Sequence, residues 1–216
     1  RMMVGASGVD ARAFRSGAVG TEDWQRIEPG AARLGELPVT IIDTPSISMP
    51  AIRAQCRALQ RQGRCGMVVI DYLQLTAPDS DKRNNREREV AEMSRAAKVL
   101  AKELDVPVIL LSQLSRKVEE RADKTPILAD LRESGAIEQD ADMVIFIDRP
   151  AIRKEDTIKT KKYGDIPSEG VGVFSIAKNR EGAIGQIYFH HNESLTRITD
   201  YDTTPSTSTG GQNGPF

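Results

Sequence analysis

The chain has 216 residues, with 30 Lys or Arg against 31 Asp or Glu and a net charge of −1. That length accommodates one α/β domain with a real core, and the balanced charge excludes nucleic-acid binding by bulk electrostatics, leaving a local patch or loops. Cys56 and Cys65 show neither metal-ligand spacing nor a disulfide framework, no apolar run approaches the ~20 residues of a membrane span, and no signal peptide is visible; they read as reduced thiols in a cytoplasmic protein.

Residues 1–9 read as the end of a helix. With no lead-in and no Met at position 1, the chain reads as a fragment. Thr21 followed by Glu22 and Asp23 marks a helix start, and Trp24 reads as a packing residue. Residues 39–43 (Val-Thr-Ile-Ile-Asp) form a short strand, stopped by Thr44-Pro45-Ser46. Residues 49–62 are helical, with Ile52, Cys56 and Leu59 on one face, and Gly63 ends the helix.

Met67-Val68-Val69-Ile70-Asp71-Tyr72-Leu73-Gln74-Leu75 is an apolar run that ends at a carboxylate. It reads as a buried strand delivering one acid to a sheet edge. A polar loop at 77–85 follows. The basic stretch at 82–86 reads as a solvated loop before a helix, with DNA contact as the alternative. Residues 86–104 form the clearest helix, with Val90, Met93, Ala97, Leu100 and Leu104 in one stripe. The next strand runs from Val106 to Ser112 and Gln113 and ends in an amide. Two buried strands with polar tips at one end of a sheet are the skeleton of an ATP-driven motor, in which such an acid holds Mg²⁺ near the phosphates. A plain strand whose Asp caps the next turn stays open as the alternative.

Residues 115–130 are charged and aperiodic and read as a mobile loop. Leu131-Arg132-Glu133-Ser134-Gly135 leads into a short helix, and residues 143–147 are another buried strand. Residues 149–169 form a second charged loop, functional or disordered. Residues 171–177 and 184–190 are strands joined by Lys178-Asn179-Arg180-Glu181-Gly182 as a hairpin. His190 and His191 lack further ligands at metal spacing and read as structural. The Ser/Thr/Gly/Pro-rich tail, 202–216, reads as disordered. Alternating strands and helices followed by a late hairpin give an α/β class with a mostly parallel sheet and an antiparallel edge.

Four stretches, in order, carry a resemblance. They are Val69-Ile70-Asp71-Tyr72-Leu73-Gln74-Leu75, Ile109-Leu110-Leu111-Ser112-Gln113-Leu114-Ser115-Arg116, the run Asp130-Leu131-Arg132-Glu133-Ser134-Gly135-Ala136-Ile137-Glu138-Gln139-Asp140-Ala141-Asp142, and Ala177-Lys178-Asn179-Arg180-Glu181-Gly182. On these the chain, from Arg1 to about Tyr201, resembles the C-terminal ATPase domain of the DnaB-type replicative DNA helicases. The resemblance implies a RecA-like fold, truncated at its N-terminus, working as a homo-hexameric ring that moves 5′ to 3′ on single-stranded DNA. It also implies ATP and Mg²⁺ as cofactors, with primase and a helicase loader as partners. The family's Gly-Lys-Thr or Gly-Lys-Ser phosphate loop is absent from this chain, and its backbone amides and lysine are what cradle phosphates. The polypeptide alone is therefore expected to be inactive.

Carried over residue by residue, the resemblance makes Asp71 the Mg²⁺-holding acid and Gln113 a γ-phosphate sensor. Lys178 and Arg180 become groups that reach the neighbouring subunit's ATP, with Arg180 as the arginine finger. Arg132, Glu133 and Gly135 become the loop that grips the DNA backbone: Arg132 can pair with phosphate, Gly135 lets a main-chain amide approach closely, and Glu133 positions its neighbours. The plainer readings are a strand-end Gln, a surface Arg–Glu pair and a basic turn. Two other functions are weighed beside the helicase, a RecA- or KaiC-like ATPase and a non-catalytic DNA-binding or oligomerisation module.

Overall fold

Glycines and caps set the first helices. In the computed structural model, residues 1–45, 47–71 and 86–201 are described, without the side chains of residues 86, 87, 116 and 132–134. The expected loop at 77–85 and tail at 202–216 fall outside these residues. Helix α1 (Met2–Ser7) stops at Gly8, whose φ of +67° turns the chain left-handed. Helix α2 (Ala11–Ser16), which sequence periodicity does not reveal, is capped by Asp10, whose carboxylate accepts the Arg12 and Ala13 amides at 2.7 and 3.1 Å. Helix α3 (Thr21–Glu36) starts where expected, with Gly20 rather than Thr21 as its cap. It lies against α1 at Gly30, where a Cβ would sit 3.1 Å from the Ser7 nitrogen. Six-residue α1 covers α3 around Ile27 and Gly30 and leaves the first turn open. Trp24 is for that reason 59% exposed rather than packed.

Residues 39–43 form no strand, contrary to expectation. Val39, Ile41 and Ile42 are exposed, because β-branched residues favour a strand only where a neighbouring strand supplies hydrogen bonds and packing. Helix α4 (Met49–Arg61) starts at Ser48, whose hydroxyl accepts the Ala51 amide. Past its end Gly63 (φ +69°) donates to Gln60 O at 2.9 Å and Arg64 to Leu59 O at 3.0 Å, the expected glycine stop.

Strand β1 (Val68–Ile70) and strand β2 (Val108–Leu110) pair in parallel, with Val68 opposite Val108 and Ile70 opposite Leu110. Between them lies α5 (Arg86–Leu104), where the sequence stripe places it. Val90, Met93, Ala97, Leu100 and Leu104 are all buried. Leu100 and Leu104 join Ile52, Cys56 and Val68 in one core cluster. Val90 and Met93 pack with Ile137 in a second. Each fully buried aliphatic side chain contributes about 1.5–3 kcal/mol, so this stripe anchors the helix.

Helix α6 (Gly135–Asp140) precedes strand β3 (Met143–Asp148). The hairpin of β4 (Thr157–Thr160) and β5 (Gly164–Pro167) stands apart, and β6 (Val171–Asn179), β7 (Gly185–Asn192) and β8 (Arg197–Asp200) complete an antiparallel sheet in the order β3-β6-β7-β8. The class is α/β, and among the described residues parallel pairing is confined to β1–β2. One face of β3 packs Val144 and Phe146 against Leu131. The other leaves Met143, Ile145 and Ile147 exposed, and Met67, Val69, Ile109 and Leu111 are likewise open around β1 and β2.

Two stretches expected to be loose are ordered by specific contacts. Residues 115–130 are held rather than mobile, because Arg121 clamps the buried Asp130 with two bonds of 2.9 Å and also donates to Thr125 O at 2.7 Å. Residues 149–169 contain a 3₁₀ segment, Pro150–Arg153, and the β4–β5 hairpin. Arg153 bridges Asp148 and Glu155, and Tyr163 packs on Tyr188 and Tyr201 with ring centroids 6.1 and 5.1 Å apart. Among the described residues no helix is long and apolar enough to cross a membrane.

Candidate functional site

Parallel pairing sets the first half of the site. The Leu111 amide donates to Ile70 O at 3.0 Å, one step past the β1–β2 ladder. Asp71 follows Ile70 directly, and Gln113 lies two residues after Leu111. Both leave the sheet at the carboxyl ends of its strands, where open α/β sheets hold their ligands. Both side chains are exposed, and among the described residues neither has an ion-pair or hydrogen-bond partner that would occupy it. No group of three or more His, Cys, Asp or Glu gathers for a metal among the described residues. A single exposed carboxylate suits Mg²⁺, which keeps several waters and takes one or two carboxylates plus phosphate oxygens.

The second half is built by a bulge. Along β6, Phe146 faces Ser175 and Ile145 faces Ile176, but Val144 faces Lys178. Ala177 is thus an extra residue, and it reverses the alternation of side chains beyond it. Without it Lys178 and Arg180 would share the face of Phe174 and Ile176. With it they fall on the face of Val144, toward α6. There the Lys178 ammonium donates to Glu138 O and the Arg180 Nη2 to Gln139 O at 2.5 Å. These carbonyls lie in the last turn of α6, where helix carbonyls lack internal partners and cations are favoured.

Arg180 makes two more contacts, Nη1 to Asp142 Oδ1 at 3.1 Å and its amide to Asp142 O at 2.9 Å. Lys98 of α5 holds the other oxygen of Asp142. The Lys98 hydrogen bond, with the charges of Lys98 and Arg180, keeps the Asp142 carboxyl below its usual range. The Arg180–Asp142 pair is about half exposed on both sides, and such pairs are worth only about 0–1 kcal/mol of stability, so orientation is its main consequence. Sequence reasoning singled out neither Asp142 nor Lys98. Asp142 sits within a motif already quoted, while Lys98 is one of many cations on the polar face of α5.

The DNA-loop candidates lie next to this second half. Arg132 and Glu133 belong to a 3₁₀ segment, Leu128–Ser134, that runs directly into α6. Their side chains are outside the described ones. Gly135 opens α6 with a helical φ of −50°, and a Cβ there would meet nothing within 4 Å. Its value is therefore the bare main chain rather than an unusual conformation. Asp130, six per cent exposed, fixes the start of the segment by accepting the Ile127 amide at 2.8 Å as well as Arg121.

One helix thus carries the loop candidates at its start and receives both cations at its end. Among the described residues no hydrogen bond or ion pair joins Lys178 or Arg180 to Asp71 or Gln113. A cavity of about 720 Å³ opens elsewhere, lined by Phe14, Ile147, Arg149, His191, Glu193 and Ile198, and holds none of the expected site residues. His190 stacks on Tyr201 at 4.8 Å, in keeping with a structural role.

The family model of the DnaB-like helicase C terminal domain matches residues 1–200. The chain is 42% identical over 187 residues to the replicative DNA helicase DnaB of Geobacillus stearothermophilus, covering 87% of this chain and 39% of that protein. It is 41% identical over 204 residues to the replicative DNA helicase DnaC of Bacillus subtilis (strain 168), covering 94% and 41%. The chain therefore spans about 40% of the length of these curated relatives. Among solved structures it is similar to an ATPase domain, with a TM-score of 0.80 at 32% identity, covering 93% of this chain and 69% of that one. A DnaB-like replicative helicase, described with its interactions with primase, gives 0.81 at 32% identity, covering 93% and 48%.

Proposed function

The chain belongs to the DnaB-like helicase C-terminal domain family, and from that premise we propose that it is the motor part of an ATP-dependent replicative DNA helicase. In the full-length protein, six copies form a ring, each nucleotide lying between two subunits, and single-stranded DNA passes 5′ to 3′ through the centre. The observation that carries this reading is the shared rim of Asp71 and Gln113, set by the Leu111–Ile70 bond.

Magnesium, when bound with ATP, would neutralise charge on the phosphates. Asp71 would offer a carboxylate oxygen to the hydrated ion. Gln113 donates its amide N–H to a terminal phosphate oxygen and loses that bond on hydrolysis. Lys178 and Arg180 present positive charge to the neighbouring subunit's nucleotide, and a finger of this kind is worth about 10³–10⁵ in rate elsewhere. Arg132 and the Gly135 amide hold the DNA backbone, with Glu133 positioning the loop. Phosphate contacts carry no base information, as a motor for any sequence requires.

This polypeptide has no Gly-Lys-Ser or Gly-Lys-Thr turn, so the isolated chain should not turn over ATP. Primase and a loader are the partners expected of the whole cytoplasmic protein. Strand displacement by the full-length protein tests the reading. A fork with a free 5′ tail should be opened with ATP and left intact by Asp71→Asn. Displacement from a 3′ tail alone, or full activity in Asp71→Asn, overturns it.

A further inference from the structure

We propose that Asp142 is a positioning residue for the arginine finger, fixing the Arg180 guanidinium at the end of α6 with its outward donors free while Lys98 fixes the carboxylate. The inference deepens the reading above and rests on Arg180 acting at a neighbouring nucleotide.

Arginine carries five N–H donors in a rigid fork. Two are used here, one on Asp142 Oδ1 at 3.1 Å and one on Gln139 O at 2.5 Å. Three remain on a side chain that is 48% exposed, and Nε makes no hydrogen bond among the described residues. Asp142 holds Arg180 twice, since its own carbonyl takes the Arg180 amide at 2.9 Å. The guanidinium is therefore braced from behind, with its free donors toward solvent.

The charge arithmetic also fits. Asp142 alone would neutralise the finger. Lys98, on the other carboxylate oxygen, leaves the Lys98–Asp142–Arg180 trio with a net charge of +1. Aspartate is the suited residue because it accepts two charge-assisted bonds and offers no donor to repel either cation. A finger that is already oriented spends less conformational entropy when charge develops on the phosphoryl group, so the benefit falls on the transition state.

Steady-state ATPase of the full-length ring tests this. Asp142→Ala should lower kcat about 10- to 100-fold, the scale on which misplacing a catalytic group acts, with KM for ATP changed less than about twofold. Asp142→Asn keeps one acceptor but loses the charge, and should recover only part of that loss. Adding Asp142→Ala to Arg180→Ala should slow the ring no further, because the two act as one unit. A merely structural Asp142 would slow the Arg180→Ala background as well, and that result overturns the inference, as does a kcat within about twofold of the parent for Asp142→Ala in a ring that Arg180→Ala cripples. If Arg180→Ala itself leaves turnover intact, the finger reading falls and this inference with it. Should Asp142→Ala rings fail to assemble, Asp142→Asn carries the test: a kcat equal to the parent's counts against, and an intermediate kcat with unchanged KM counts in favour.

Discussion

The amide of Leu111 donates to the carbonyl of Ile70 across 3.0 Å, and this bond decides which rim the two polar tips share. Parallel strands point their carboxyl ends the same way, so an acid after one and an amide after the other must converge. Had the strands run antiparallel, Asp71 and Gln113 would sit at opposite ends and one phosphate could not engage both. Asp71 is exposed and unpaired among the described residues, so Asp71→Asn should shift stability by less than about 0.5 kcal/mol. If Asp71 holds the magnesium ion as proposed, the same change should cost the full-length protein at least about 10² in ATP turnover, because a charged ligand would become neutral. Chemical denaturation of the variant beside its ATPase rate separates the two effects.

Gly135 offers a second separation. Its φ is already helical and its missing Cβ faces open space. Gly135→Ala should therefore stabilise the chain by about 0.4–1 kcal/mol through the unfolded state. If the bare amide approaches phosphate, the same methyl should weaken single-strand binding by about 1 kcal/mol, one hydrogen bond's worth. Thermal melts and fluorescence titration with an oligonucleotide read the opposite signs. A more stable variant with unchanged DNA affinity would remove Gly135 from the grip.

Much of the fold is legible where local pattern and packing agree. The α5 stripe from Val90 to Leu104 is buried as its spacing requires, and Gly63 marks the end of α4. Legibility fails where the deciding partner is distant in sequence. Residues 39–43 have strand propensity and no ladder. Arg121 orders its loop through Asp130, nine residues on, and charge content alone reads as mobility. The Ala177 bulge is invisible in a sequence, although it chooses the face of both Lys178 and Arg180. The candidate site residues are legible as motifs; that Lys178 and Arg180 both rest on the end of α6 is not.

Asp130 should prove structural rather than catalytic. It is buried and accepts the Arg121 fork and the Ile127 amide. Asp130→Ala strands those donors and should destabilise the chain by about 2–3 kcal/mol, the range for hydrogen bonds to a charged group. Urea unfolding measures it. A loss below about 0.5 kcal/mol would mean that the loop is held by something other than this clamp.

His191 gives the chain a pH dependence. Burial, the Arg149 guanidinium and His190 hold its imidazole below the ordinary 6.5, against an opposing pull from Glu193. The folded state thus keeps His191 neutral while the unfolded chain takes up a proton below 6.5. Its contribution is complete above that pH and is lost as pH falls through the depressed folded value. His191→Gln should flatten the melting temperature between about pH 7 and about pH 5 relative to the parent chain. Parallel curves for the two proteins would assign the acid sensitivity elsewhere.

Arg180 and Lys178 contact α6 of their own chain, and among the described residues neither makes a hydrogen bond or ion pair with Asp71 or Gln113. If they serve a neighbour, damage to a ring should be divisible between subunits. Full-length rings of Arg180→Ala alone, or of Asp71→Asn alone, contain no intact site. In a ring mixing the two, a site with a parental Asp71 and a parental Arg180 forms wherever an Arg180→Ala subunit receives the finger of an Asp71→Asn neighbour. With random mixing at equal amounts about a quarter of the sites are intact, and ATPase should recover toward that fraction of the parent, less whatever is lost to broken coordination around the ring. Turnover that stays at the level of either variant alone would place Arg180 on its own subunit's nucleotide, or on none.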